Sequence, residues 1–275
     1  MKQSVQGKKL GKSFGLIGCG NMGNAILAGL LTKGIVSSNQ IFVFDSDGVK
    51  VRSAARKFRI KAARNNADLV RLVDVILLAV KPQDLKMVGN EIRAELTPRQ
   101  TVISILAGTP IQKMRRALGS RVMVVRAMPN LGAQVGDAVT AITSSDRSAL
   151  RIAELIFSGC GRVVKLSECY FDLVTAVSGS GPAYFFLMME LLCQVAEKEG
   201  LSKKTAEALA IGTALGAARL AQVSRYSPVR LRKMVTSKKG TTEAALRYFA
   251  KKGFSRIFID GVRKAILRAR ELSRN

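Results

Sequence analysis

Short apolar runs recur through the first part of the chain at 13–17, 41–44, 75–80, 101–106 and 122–127, separated by stretches with helical spacing near 22–33, 49–58, 83–95 and 110–118. Four to six apolar residues bounded by turn formers predict a buried strand. Strands alternating with amphipathic helices predict right-handed βαβ crossovers on a mostly parallel sheet. Two further strand patterns, 138–143 and 161–166, flank a helix at 146–158 and complete that sheet. After Ser167 the texture changes to helical periodicities at 170–178, 182–199, 203–223, 228–235, 241–252 and 255–273, which predict an all-helical second domain. Gly179, Gly181 and Pro182 predict a break after the first of these, with Pro182 in a first helical turn, and Gly200-Leu201-Ser202 a glycine stop followed by an N-cap. The helix at 203–223 is rich in small residues (Ala206, Ala210, Gly212, Gly216 among them), a face suited to close helix approach at a subunit interface.

The first strand pattern runs into Gly18-Cys19-Gly20-Asn21-Met22-Gly23, a GxGxxG spacing at a strand-to-helix turn. In a dinucleotide-binding unit the first glycine makes the turn tight. The second brings backbone up to the pyrophosphate, the third lets the helix pack on the strand, and the first helical amides face the anion. Gly18, Gly20, Asn21, Met22 and Gly23 are therefore candidate cofactor residues. The second strand ends in Asp45, twenty-two residues after Gly23, where an acidic side chain accepts hydrogen bonds from the adenosine ribose. Asp45 favours NADH, whereas nearby Lys50 and Arg52 would pair with the 2′-phosphate of NADPH, so both cofactors stay open. The loop Ala79-Val80-Lys81-Pro82 lies just past the third strand, where ligands of doubly wound sheets bind.

Composition narrows the chemistry. At 275 residues, 48% of them hydrophobic and without a low-complexity tract, the chain is long enough for two globular domains. Its apolar runs are broken short of the roughly 18 residues that a membrane span requires, and no signal segment opens it, so a cytoplasmic, membrane-free protein is expected. Cys19, Cys160, Cys169 and Cys193 form no CxxC pair and the chain has no histidine, so no metal site is expected and histidine general-acid chemistry is closed. The formal net charge is +26, and residues 225–275 carry fifteen Lys/Arg against three Asp/Glu. The basic residues are spread over amphipathic helices rather than gathered in a reading motif, which argues against nucleic acid as a partner.

Three further stretches carry candidate chemistry: Arg126-Ala127-Met128-Pro129-Asn130, Ser178-Gly179-Ser180-Gly181-Pro182-Ala183-Tyr184, and Val235-Thr236-Ser237-Lys238-Lys239-Gly240-Thr241-Thr242-Glu243. In this order behind GCGNMG and AVKPQ, from about Ser13 to Leu272, the chain resembles the pyrroline-5-carboxylate reductases. SGSGPAY followed about 50 residues on by Pro228, Leu231, Val235, Thr236, Ser237, Gly240, Thr241 and Thr242 carries most of the specificity.

Residues 1–12, with Lys2, Lys8, Lys9 and Lys12 and little apolar content, read as a mobile basic tail, and the resemblance implies a Rossmann domain over 13–166 joined to a helical substrate-binding and dimerisation domain over 167–275. It also implies intertwined homodimers gathered into a higher oligomer. The implied reaction is reduction of the cyclic imine L-1-pyrroline-5-carboxylate to L-proline with NADPH or NADH. Its iminium carbon is already electrophilic, which suits a chain without histidine. By the same resemblance the substrate carboxylate falls to Ser237, Gly240, Thr241 and Thr242, with Asn130 and Ser180 as further substrate contacts. The resemblance places Thr242 by the ring nitrogen and Asn66 near the adenosine ribose, and Lys81, in the loop just past the third strand, is with Thr242 a candidate catalytic residue. The chain departs from the family where Lys238-Lys239 replaces the usual Pro-Gly, where Lys233 replaces an acid, and where Leu131-Gly132 replaces Thr-Pro. If that glycine takes positive φ, lysine there is strained by roughly 1 kcal/mol. The alternatives are a related imine or β-hydroxyacid reductase, or a catalytically lapsed nucleotide- and polyanion-binding protein.

Overall fold

The computed structural model describes residues 9–274. Residues 1–8 of the expected tail lie outside the described residues. Leu10, also assigned to that tail, donates its N–H to Ile35 O at 2.8 Å and packs its side chain on the core.

Eight strands form one sheet: β1 (Phe14–Ile17), β2 (Ile41–Phe44), β3 (Lys61–Ala62), β4 (Val75–Leu78), β5 (Thr101–Ser104), β6 (Met123–Met128), β7 (Ala138–Thr143) and β8 (Gly161–Lys165). Their order is β3-β2-β1-β4-β5-β6-β7-β8, and every neighbouring pair is parallel except β6 and β7. The crossovers are α1 (Asn21–Thr32), α2 (Gly48–Phe58), α3 (Asn66–Leu72), α4 (Leu85–Ile92) and α5 (Ile111–Leu118), with α6 (Arg147–Ser158) between β7 and β8. The central strands β1, β4 and β5 are buried on both faces, as unbroken apolar runs require, and hydrophobic clusters fill both sides of the sheet. Chain direction across the sheet reverses between β1 and β4, which creates a crevice at their carboxyl ends.

The periodicities leave out β3 and α3. Two residues are too few to show alternation. The start of α3 was marked instead by its cap, in which Asn65 accepts from Asp68 N–H at 2.7 Å.

The expected junction at Gly179–Pro182 falls where α8 (Gly181–Lys198) begins, with Pro182 in its first turn, but the chain direction carries on through it. A short helix α7 (Phe171–Val174) passes through a π-helical turn, Thr175–Gly179, into α8. The wider turn keeps the backbone bonded across the junction, Ser180 N–H reaching Thr175 O at 2.8 Å. The resulting run, Glu168–Lys198, is long and apolar enough to cross a membrane by length and composition, contrary to the reading of its apolar stretches one at a time.

Contacts divide the chain into two compact units, one up to Ser180 together with the segment from Ile266, the other Gly181–Ala265. The second unit holds α8, α9 (Lys203–Val223), α10 (Pro228–Met234), α11 (Thr241–Lys251) and most of α12 (Phe254–Arg274). Ser202 caps α9 through Thr205 N–H, and Ser227 caps α10 through Arg230 N–H with Pro228 in the first turn. Aromatic rings join its helices, Tyr184 edge-on to Phe258 at 5.9 Å and Phe254 beside both Phe249 and Phe258. Yet α8 and α9 leave Phe185, Phe186, Leu192, Leu209, Ile211 and Leu215 at least half exposed. An apolar surface of that extent is a binding face.

Candidate functional site

The parallel strands bring the glycine loop, Asp45, the Ala79–Pro82 loop and the Met128–Asn130 loop to one edge of the sheet. Gly18 has φ +101°, and a Cβ on it would lie 2.7 Å from the carbonyl of Ala79, so only glycine lets the β1 and β4 loops meet. Gly23 faces Gly18 O, which a Cβ would approach to 2.6 Å. Gly20 differs, because a Cβ there meets nothing within 4 Å. Gly20 is also the N-cap of α1, and no side chain caps that helix and no acidic residue sits in its first turn, which holds Asn21 and Met22. Open space in front of uncapped helical amides is what a dinucleotide pyrophosphate requires, so these residues fit the cofactor.

Asp45 is the hinge of this edge. Its Oδ2 accepts Cys19 N–H at 2.7 Å and its Oδ1 accepts Asp47 N–H at 2.8 Å, which ties the glycine loop to the start of α2. Burial, reinforced by the Asp45 charge, pushes the Cys19 thiol up to about 12, so the glycine loop offers no thiolate. Asn66 is 5% exposed; its amide donates to Glu91 at 2.7 Å and its Oδ1 has no partner among the described residues. Lys81 and Pro82 are exposed in the loop after β4, while Ala79 and Val80 are half-buried.

The Met128–Asn130 loop is locked to the π turn. Asn130 donates to Ser178 Oγ and accepts from Val139 N–H, both at 3.3 Å, and a Cβ on Gly179 would strike Met128. Ser180 closes the same turn. Beneath them the 4%-exposed Arg126 pairs with Glu168 at 3.2 Å and Asp172 at 4.0 Å and lies over the Phe171 ring. Burial pulls the guanidinium's pKa down, and the two carboxylates oppose it. Glu168 also accepts Ile111 N–H at the start of α5, and Asp172 accepts from Ser273 near the end of α12. Arg126 stands out in the sequence, but its acidic partners lie more than 40 positions away, where no spacing marks them. Gly108, which packs on Leu272, carries no sequence signal of that contact either.

The Ser237–Thr242 segment belongs to the second unit and forms the start of α11, with Gly240 as its N-cap. A Cβ on Gly240 would lie 2.3 Å from Ser237 Oγ, so glycine is what lets that hydroxyl fold over the helix entrance. Thr241 is exposed and Thr242 half-buried, both in the first turn. Lys239 does adopt the left-handed conformation, φ 61°, and its N–H donates to Glu243 at 2.7 Å. Lys239→Gly should therefore stabilise the protein by roughly 1 kcal/mol in urea unfolding. An unchanged or lower midpoint would show that the lysine side chain offsets the strain.

A doubly wound sheet with a glycine loop and an acidic β2 end at its switch point defines a dinucleotide-binding oxidoreductase of the Rossmann class. Residues 13–108 match the family described as NADP oxidoreductase, coenzyme F420-dependent, and residues 168–272 match pyrroline-5-carboxylate reductase dimerisation. The pyrroline-5-carboxylate reductase of Pseudomonas aeruginosa is 38% identical over 94% of this chain and 95% of its own. The solved Coxiella burnetii reductase is 37% identical with TM-score 0.88, covering 95% of this chain and 98% of that one. The Plasmodium falciparum enzyme, solved with NADP bound, is 26% identical with TM-score 0.87, covering 96% and 99%. The chain belongs to the pyrroline-5-carboxylate reductase family.

Proposed function

We propose that the protein reduces L-1-pyrroline-5-carboxylate to L-proline, the closing step of proline synthesis. The observation that carries this reading is the Ser237–Thr242 helix start, inside the segment matching the reductase dimerisation family, on a chain whose glycine loop fits a dinucleotide. The bound reduced nicotinamide supplies the hydride for the imine carbon, and the ring nitrogen gains a proton. Ser237, Gly240, Thr241 and Thr242 hold the substrate carboxylate, since amides and hydroxyls at a helix start favour an anion. Thr242 holds its hydroxyl toward the ring nitrogen, with Asn130 and Ser180 as further substrate contacts. Gly18, Gly20, Asn21, Met22, Gly23, Ala79, Val80, Lys81 and Pro82 line the cofactor, Lys81 bordering the reacting centre, with Asp45 and Asn66 toward the ribose.

The exposed apolar faces of α8 and α9 fit homodimers assembled into a higher oligomer, and this use of the Glu168–Lys198 helix makes a cytoplasmic protein the better reading than a membrane-spanning one. Nucleic acid is not part of this reading, because the basic residues are spread over amphipathic helices rather than gathered in a reading motif.

The test is loss of NADH or NADPH absorbance with pyrroline-5-carboxylate, and proline measured as product. No turnover with cofactor bound would overturn the assignment, and a monomer mass by light scattering would remove the assembly. Thr242→Val should lower kcat about 100-fold while leaving cofactor affinity unchanged, the scale of a lost proton-handling group. Unchanged kcat would take Thr242 out of the reaction.

A further inference from the structure

We infer that the ribose end of the cofactor site is built for NADH, with Asp45 and Asp47 together excluding a 2′-phosphate; this rests on the cofactor site proposed above. A turn that binds a 2′-phosphate needs N–H groups and cations facing outward at the end of β2. Here the turn has supplied its own anions. Cys19 N–H and Asp47 N–H both point into the Asp45 carboxylate, and Val49 N–H points into Asp47 Oδ1 at 2.9 Å, where it caps α2. The positive start of α2 is thus already matched by a carboxylate.

The nearby cations do not reverse this. Lys50 Nζ lies 3.5 Å from Asp47 Oδ2 and is engaged there. Arg52 is exposed, with its guanidinium alongside Gly48, and would have to hold a phosphate against two carboxylates. An unphosphorylated ribose meets the opposite situation. Each Asp45 oxygen spends one lone pair on an amide and keeps another for a hydroxyl, and the two amide bonds fix the carboxylate in place before the ribose arrives. Asp45 is then the ribose acceptor, and Asp47 acts by charge from the adjacent cap.

Titration calorimetry with NADH and NADPH, in the absence of any imine, tests this independently of the substrate assignment. The protein should bind NADH at least about tenfold tighter, the effect of roughly 1.4 kcal/mol of like-charge repulsion. Asp47→Ser keeps a capping oxygen while removing the charge, and should shrink the NADH-to-NADPH affinity ratio by about threefold or more. Asp45→Asn should shrink it further; if that variant fails to fold, Asp47→Ser decides. Equal or tighter NADPH binding by the unaltered protein would overturn the inference and make Arg52 the phosphate ligand. An affinity ratio unmoved by Asp47→Ser would overturn the role of Asp47. If NADH binds as expected and the imine is not reduced, the proposed reaction fails while the ribose assignment stands.

Discussion

Gly20→Val should give a folded protein that no longer binds NADH or NADPH. Gly20 has φ −75° and ψ −176°, extended backbone that any residue adopts, and a Cβ there meets no atom of the described residues within 4 Å. The fold therefore has no use for the missing side chain. The pyrophosphate does, because a branched side chain at the N-cap of α1 would stand between the phosphates and the first-turn amides. Affinity for either dinucleotide should fall about 100-fold or more, the equivalent of roughly 3 kcal/mol, with the thermal midpoint nearly unchanged. Gly18→Ala is the contrasting control. Its φ of +101° and the 2.7 Å approach to Ala79 make the side chain clash with the protein itself, so stability should fall by about 1–3 kcal/mol. Normal dinucleotide binding by Gly20→Val would place the cofactor elsewhere.

The second large effect is expected at Arg126, well inside the protein. Arg126→Met keeps much of the side chain's volume over the Phe171 ring but removes the charge shared by Glu168 and Asp172. Two carboxylates are then left close together, and breaking a buried ion pair from one side costs more than the pair contributes. The cost should be about 2–4 kcal/mol, below the full range for a sealed pair because the Glu168 side chain is 35% exposed and can rehydrate. Arg126→Lys should fall between, since an ammonium restores the charge without the planar fork. Denaturant unfolding measures both. A loss within 0.5 kcal/mol for the methionine variant would show that Glu168 and Asp172 are solvated independently of Arg126.

Most strands and helices were legible because burial imposes a period. The apolar runs at 41–44 and 138–143 coincide with β2 and β7, and 203–223 with α9. What escaped were features set by geometry rather than by periodicity. The two residues of β3 are too short to carry a pattern. The glycines marked the junction before α8, but the π form of the turn at Thr175–Gly179 escaped because a wider hydrogen bond leaves no period of its own. In the candidate site, positions were readable and commitments were not. Asp45 stood at the right distance from the glycines, but only coordinates reveal that both its oxygens already accept amides, or that Asp47 fills the next anion position. The strained lysine was a conditional expectation, and Lys239 at φ 61° meets the condition.

The last turns of α12 count with the first unit, where Leu272 lies against Gly108 and Ser273 donates to Asp172 at 2.6 Å. During synthesis the chain emerges from its amino end, so the sheet strands are all available long before these closing residues exist. The nucleotide-binding unit must wait with the Gly108 and Asp172 contacts unmade while the ribosome completes the helices between. Its final form is acquired only once α12 has been made, which makes the last turns of α12 the clasp of the sheet.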